Sequence, residues 1–328
     1  QFKSIAEGHP FNVTSFVEDY MFGELGDGTL SAEERLDAAM ACFESICLDC
    51  NILYSLRKRE KGQVLEFLGL EWDTRPSHWV LRVPQDKQVS IKKLLDSFIS
   101  EHGAHPDRGV APKTLASVLG KLEFISVCVP GGPLFMMRIY ALFKGVIISW
   151  SHNAIKFADS YQPIVIPEEA WKDFRWWQGR FTTTEMCRPI TWDLIATLKT
   201  HGSTDASRLF GQGTVINING VDEESACLWD SWESMQGMCF LELVGVFLTV
   251  LRYASRLAGS QLHLRIDNSA VNYSVQKGRT KSPQMAEVMR RLYRICQQHN
   301  IHVDSTWVST KVMGRADGLS RGEQPCDA

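Results

Sequence analysis

Four acidic residues toward the C-terminus have types and positions that could do chemistry: Asp205, Glu242, Asp267 and Asp317. Asp205 opens a strand-like piece within "STDAS", Asp267 ends the alternating run "LHLRID", and Asp317 begins a short helix in "RADGLSR". Each of these three has an ordinary structural explanation, because Asp often terminates strands and caps helices. Glu242 has none. It lies in the helix face "FLELVGVFL", among Phe240, Leu241, Leu243 and Val244, where a buried carboxylate without a partner is costly. It needs a cation, a donor or an exit to solvent. Strand-end acids converging on a helix acid would give a set of hard oxygen ligands suited to Mg²⁺ or Mn²⁺. Two such ions about 4 Å apart activate water and stabilise a leaving oxygen in phosphodiester cleavage.

The elements that must position these acids follow from periodicity. Leu262, Leu264 and Ile266 alternate with His263 and Arg265, which is strand periodicity, and Ser269 to Gly278 reads as the following helix. "STDASRLFGQGTVINING" gives two strand-like pieces around a Gly turn, and a long helix covers Phe240 to Leu257. A helix from Ser282 to His299, a last strand "IHVDSTWVS" and a short helix "RADGLSR" complete an alternation that implies an α/β domain. Upstream, helices are expected from Ser31 to Cys50, Asp86 to Gly103 and Thr114 to Val127, with a third of this last group in "FMMRIYALFKGVIISW". "VLEFLGLEWDT" reads as one strand and "WVLRVP" as its hairpin partner. The Trp-rich stretch "WKDFRWWQGRF" reads as helix, with Trp171, Trp176 and Trp177 packing between helices.

The 328 residues leave room for two or three domains, and 44% hydrophobic with 22% charged residues is ordinary for a globular protein. A net charge of -3 exerts no global pull on nucleic acid, so such a partner must meet a local patch. The nine Cys are scattered, with Cys47 and Cys50 the one CxxC pair, which points to free thiols in a reducing, intracellular compartment, cytoplasm or nucleus. No apolar run is long enough to span a bilayer. The chain starts at Gln1 without Met and is expected to belong to a longer protein.

"STDAS", "LEL", "RIDNSAV" and "RADGLSR" occur in an order and context that resembles the ribonuclease H domain of retrotransposon polyproteins, closest to DIRS-like and gypsy-like elements. That resemblance places the family's acidic tetrad on Asp205, Glu242, Asp267 and Asp317. It implies a ribonuclease H-like mixed sheet with flanking helices over residues 199–322. "VLEFLGLEWDT" with "WVLRVPQDK" is similar to the primer-gripping hairpin that follows a reverse-transcriptase palm, giving a partial palm over 1–84. "LASVLGKLEFISVCVPGGPLFMMRIYAL" is similar to the helical thumb and connection, over 85–198. "FVED" sits where the family carries its YxDD turn, with Phe16 for Tyr, Glu18 for the first Asp, and Asp19 kept. Glu18 carries its oxygens one methylene further out, and the palm strand bearing another metal-binding Asp would precede residue 1, so polymerase activity is not expected. Ser309 and Met313 replace the Pro and Asn often found before the last acid.

Lys277, Arg279, Lys281, Arg290, Arg291 and Arg294, opposed only by Glu287, form a cluster that could contact a phosphate backbone. His299 and His302 flank a strand start and read as structural. The resulting expectation is a metal-dependent ribonuclease cutting the RNA strand of an RNA–DNA hybrid, within a truncated retroelement reverse transcriptase. The competing expectation is an inactive, domesticated or decayed fragment that binds nucleic acid or protein. An integrase-like nuclease is a third, against which the "RADGLSR" ending counts.

Overall fold

The computed structural model describes residues 2–3, 10–16, 19–23, 31–50, 60–75, 80–105, 107–151, 154–157, 162–183, 186–189 and 198–325. The chain divides into two units, Gln1–Arg75 and Pro76–Ala328. In the first, β1 (Phe2–Lys3) pairs with β2 (Pro10–Phe16), and β2 pairs antiparallel with β3 (Asp19–Gly23) so that Phe16 faces Asp19. Of "FVED", Phe16 ends one strand and Asp19 begins its partner, and Val17 lies outside the described residues. Glu18 lies outside the described residues, and of Asp19 only the backbone is described.

The helix α1 (Ala32–Asp49) starts at Ser31, whose side chain accepts from the Glu34 amide while Glu34 reaches back to the Ser31 amide. This reciprocal capping box satisfies two amides that the first turn leaves without partners. "VLEFLGLEWD" is not the single strand expected from its apolar run. It is a complete hairpin, β4 (Val64–Phe67) and β5 (Leu70–Asp73), with Val64 opposite Asp73. Leu68 and Gly69 form the turn with φ of 52° and 74°, the left-handed pair that matches strand twist. Leu rarely adopts such a φ, so the usual Asn-Gly signal is missing.

The second unit begins with β6 (Val80–Arg82) and the helices α2 (Gln85–Gly103) and α3 (Pro112–Ser126). The expected third helix is broken into α4 (Gly132–Phe135) and α5 (Met137–Ala141), followed by a strand, β7 (Ile147–Ser151), paired with β8 (Ala154–Phe157). Gly145, at φ 81°, turns the chain between α5 and β7. α6 (Glu168–Thr183) carries the tryptophans, and β9 (Cys187–Pro189) pairs with β6. Ile91, Leu95 and Phe98 of α2 and Leu115 and Leu122 of α3 are buried, as are Trp171, Phe174 and Trp177 of α6. Trp176 stacks on Phe135 at 3.8 Å between ring centroids. The tryptophans thus pack as expected.

The remaining elements build a five-stranded sheet. They are β10 (Leu198–Ala206), β11 (Gly211–Ile218), β12 (Val221–Leu228), α7 (Met238–Tyr253), β13 (Ser260–Ile266), α8 (Ser269–Lys277), α9 (Pro283–His299), β14 (His302–Trp307), α10 (Thr310–Met313) and α11 (Arg315–Ser320). The order across the sheet is β12-β11-β10-β13-β14, with β10–β11–β12 antiparallel and β10–β13–β14 parallel. This is the mixed sheet with flanking helices expected of a ribonuclease H-like fold. β12 was not foreseen. The eight cysteines among the described residues are all free, and no described helix is long and apolar enough to cross a membrane.

One member of the basic cluster departs from expectation. Arg290 is only 3% exposed, and its guanidinium donates to Asp173 Oδ2 at 3.3 Å and to the Leu134 carbonyl at 3.4 Å. Arg138 donates to the other oxygen of Asp173 at 3.1 Å. Asp173 on α6 is itself buried, so Arg290 is a structural counter-ion tying α9 to α6 rather than a contact for a phosphate backbone. Its neighbours Arg291 and Arg294 are exposed. Breaking a buried pair leaves an uncompensated charge and costs about 3 kcal/mol. Urea unfolding should therefore show Arg290→Met destabilised by about that amount, and Lys281→Gln by no more than about 0.5 kcal/mol. Equal small effects would return Arg290 to the surface cluster.

Candidate metal centre

Asp205 lies one residue before the end of β10, and Asp267 follows the last residue of β13. These strands are adjacent and parallel, with Ser203 opposite Arg265, so both acids emerge at the same carboxyl edge. Glu242 sits in the second turn of α7, which packs on β10 and β11 and buries its side chain. One oxygen from each of Asp205, Glu242 and Asp267 can be chosen so that all lie within 4.8 Å of one another.

The supports of these carboxylates were not read from the sequence. Ser320 Oγ, fully buried, donates to Asp205 Oδ2 at 2.6 Å and lies 2.8 Å from the Asp317 carbonyl. Thr310 Oγ1 donates to Asp267 Oδ2 at 2.7 Å, and Trp307 Nε1 donates to the Asp267 carbonyl at 2.7 Å. Asn268 accepts from the Ala270 and Val271 amides and so starts α8 directly after the acid. Gly213, opposite Asp205 on β11, lets α11 lie against the sheet: a Cβ there would come within 2.6 Å of Leu319 Cβ and of the Ser320 nitrogen. A Gly inside a strand is the one sequence signal that could have marked this close approach.

Asp317 stands apart from the other three acids. It is in the first turn of α11, but its Oδ1 accepts from Arg321 Nε at 2.9 Å and Nη2 at 2.7 Å. Its charge still acts on Asp205. The expected four acids are thus a cluster of three, with the fourth nearby and held by an arginine.

Burial pushes the Asp205 carboxyl up to about 6 against the Ser320 hydrogen bond, and the charges of Asp267 and Asp317 add to the rise. Burial likewise pushes Glu242 up to about 9, reinforced by Asp205 and Asp267 and opposed by a hydrogen bond from the Ala206 amide. Glu242 Oε2 is buried without a hydrogen-bond partner among the described residues. Three oxygen donors, mutual repulsion and one orphaned buried oxygen fit a hard divalent cation, which would satisfy all three. Of the exposed cations, Lys277 ends α8, about 12 Å along it from Ser269, and Arg279 and Lys281 lie in the link that follows.

No protein-family model matches the chain, and no curated protein matches it. Among solved structures it is similar to RNase H1 from Halobacterium salinarum at 16% identity, over 37% of this chain and 94% of that one, with a TM-score of 0.30. It is also similar to foamy viral protease-reverse transcriptase in complex with double-stranded DNA, at 16% identity and a TM-score of 0.37, over 93% of this chain and 55% of that one. A foamy viral protease-reverse transcriptase in complex with an RNA/DNA hybrid gives 14% and 0.36, over 90% of this chain and 35% of that one.

Both raised values have a consequence for stability. The folded state holds protons that the unfolded chain releases, so stability is highest at low pH and falls as pH rises: between about 4 and 6 for Asp205, and from about 4.5 to 9 for Glu242. In chelator, the melting temperature should fall between about pH 5 and about pH 8. Asp205→Asn and Glu242→Gln should flatten this slope and exceed the parent at the upper pH. Mg²⁺ or Mn²⁺ should raise the parent's melting temperature, by about 2.7 kcal/mol in stability at a hundredfold excess over the dissociation constant, and raise that of Asp205→Asn less. A parent indifferent to metal, with variants no more stable than it, would mean that the acids do not act together.

Proposed function

We propose that this chain is a divalent-metal phosphodiesterase of the ribonuclease H type, cutting the RNA strand of an RNA–DNA hybrid. The observation that carries this reading is the convergence of Asp205, Glu242 and Asp267 within 4.8 Å at the carboxyl edge of two parallel strands, with one buried oxygen lacking a partner. Asp205, Glu242 and Asp267 would hold one Mg²⁺ or Mn²⁺, and Asp317 is the acid left to help hold a second. Bound there, the metal supplies Lewis acidity and a nucleophilic water.

The chain's own groups do the positioning. Ser320 and Thr310 fix one oxygen each of Asp205 and Asp267, which holds both carboxylates in place for a metal. Such supporting hydrogen bonds are commonly worth about 10- to 100-fold in metal affinity or activity. Lys277, Arg279 and Lys281 on one side, with Arg291 and Arg294 on α9, supply exposed cations for the strand backbones. We assign the wider context to a retroelement reverse transcriptase of the DIRS-like or gypsy-like kind. Its domains are a partial palm and primer-grip hairpin over 1–84, a thumb and connection over 85–198, and the nuclease over 199–322. Glu18 and Asp19 are the remnant of its polymerase turn.

A labelled RNA–DNA hybrid incubated with the protein and Mg²⁺ should lose its RNA strand, and Asp267→Asn should abolish the cleavage because it removes charge while keeping shape. Equal cleavage by parent and variant would sink the assignment. With a primed template and nucleotides the same preparation should extend no primer, since Glu18 displaces one metal oxygen. Templated incorporation by this chain alone would refute that half of the reading.

A further inference from the structure

Arg321 follows α11 and spends both Nε and Nη2 on a single oxygen of Asp317, four residues earlier. Its Nη1 takes no hydrogen bond among the described residues, and its side chain is 60% exposed. The guanidinium also feels the charges of Asp205 and Asp267, and in turn acts on Asp205. It is therefore a cation at the rim of the acid cluster. Asp317, of which 27% is exposed, is the one acid of the four outside that cluster.

These facts leave Asp317 already neutralised. An acid paired with its own arginine offers a metal less, because part of the gain goes to shedding the guanidinium, a part no larger than an exposed pair is worth. An exposed pair of this kind is weak and therefore readily exchanged. A phosphodiester is the natural competitor, since guanidinium binds phosphate through two parallel N–H groups and Arg321 has an unused edge facing solvent. The other arginine of this segment is already engaged. Arg315 on the same helix is held by Glu224 at 2.7 Å and by Glu323 at 2.6 Å.

We infer that Arg321 is a substrate-responsive counter-ion: it keeps Asp317 out of the carboxylate cluster until a phosphodiester of a nucleic-acid strand takes its guanidinium, which frees Asp317 to join the metal site. This rests on the nuclease reading above and adds a coupling to it. Strand binding raises metal affinity, and by linkage metal raises strand affinity by the same factor. Arg321 contacts substrate in this account, whereas Ser320 and Thr310 only position ligands.

The test separates the two halves. Calorimetric titration of Mn²⁺ into the protein without nucleic acid should give tighter binding to Arg321→Gln than to the parent, by about threefold to fivefold, the range of an exposed ion pair. Arg321→Gln combined with Asp317→Asn should lose that gain, and Arg321→Lys, which keeps the charge, should stay near the parent. In an Asp267→Asn background that does not cleave, Arg321→Gln should weaken hybrid binding and lower the slope of log affinity against log salt by about one. A residue that merely holds the end of α11 would move neither quantity in these directions. Unchanged or weaker Mn²⁺ binding by Arg321→Gln would overturn the counter-ion role. An unchanged salt slope would overturn the phosphate contact. Inorganic phosphate should leave the parent's Mn²⁺ affinity unaltered; a rise matching that produced by hybrid would overturn the assignment to a strand. A parent that cleaves no hybrid would defeat the nuclease reading alone, since the Mn²⁺ titration decides Arg321's hold on Asp317 independently.

Discussion

Repulsion among three carboxylates crowded at one edge of a sheet is the constraint around which the second unit is arranged. Asp205 and Asp267 sit side by side because parallel pairing of β10 with β13 brings their carboxyl ends together. Glu242 joins them because α7 lies across β10 and β11 with its apolar face inward. Nothing in the apolar packing requires an acid there, and burial works against one, which is why the Glu242 carboxyl rises so far. The surrounding hydrogen bonds are spent on holding these groups in place: Ser320 on Asp205, Thr310 and Trp307 on Asp267, the Ala206 amide on Glu242. A fold that accepts this unfavourable charge and supports each bearer of it is one in which the charge has a use.

The same constraint explains the last helix. α11 reaches the cluster only because Gly213 has no side chain between it and the sheet. It carries both Ser320 and Asp317 to the site, and Arg321 directly after it. One short helix thus holds an acid, the support of another acid and a neutralising cation. The proposed coupling of metal and nucleic acid draws on that concentration.

Helix boundaries were legible where a capping residue marks them. Ser31 and Ser282 both accept an amide hydrogen bond at the predicted starts of α1 and α9, and Gly278 ends α8 in the left-handed conformation. The four acids could be singled out because an acid in an apolar helix face or at a strand tip is conspicuous. What was not legible depends on partners distant in sequence. β12 is an edge strand exposed at both ends, so its residues show no alternation. The run from Gly132 to Trp150 is largely apolar, interrupted by Arg138, Lys144 and Ser149, which does not distinguish two short helices and a strand from one helix. Arg290 looks like its exposed neighbours in composition, and only the buried Asp173, 117 positions earlier, makes it a counter-ion. Ser320 and Thr310 are ordinary polar residues until the fold sets an acid within hydrogen-bond reach.

In the proposed reading, Asp205, Glu242 and Asp267 act as one metal-binding unit whose protons are displaced when a cation enters. Calorimetric titration of Mn²⁺ into the protein at about pH 7, repeated in buffers of different ionisation enthalpy, reads this displacement directly. With Glu242 raised to about 9 it is protonated at that pH, so binding should release about one proton per ion, and Glu242→Gln should abolish the release. Absence of binding, or binding with no proton released, would show that the three acids do not form such a unit.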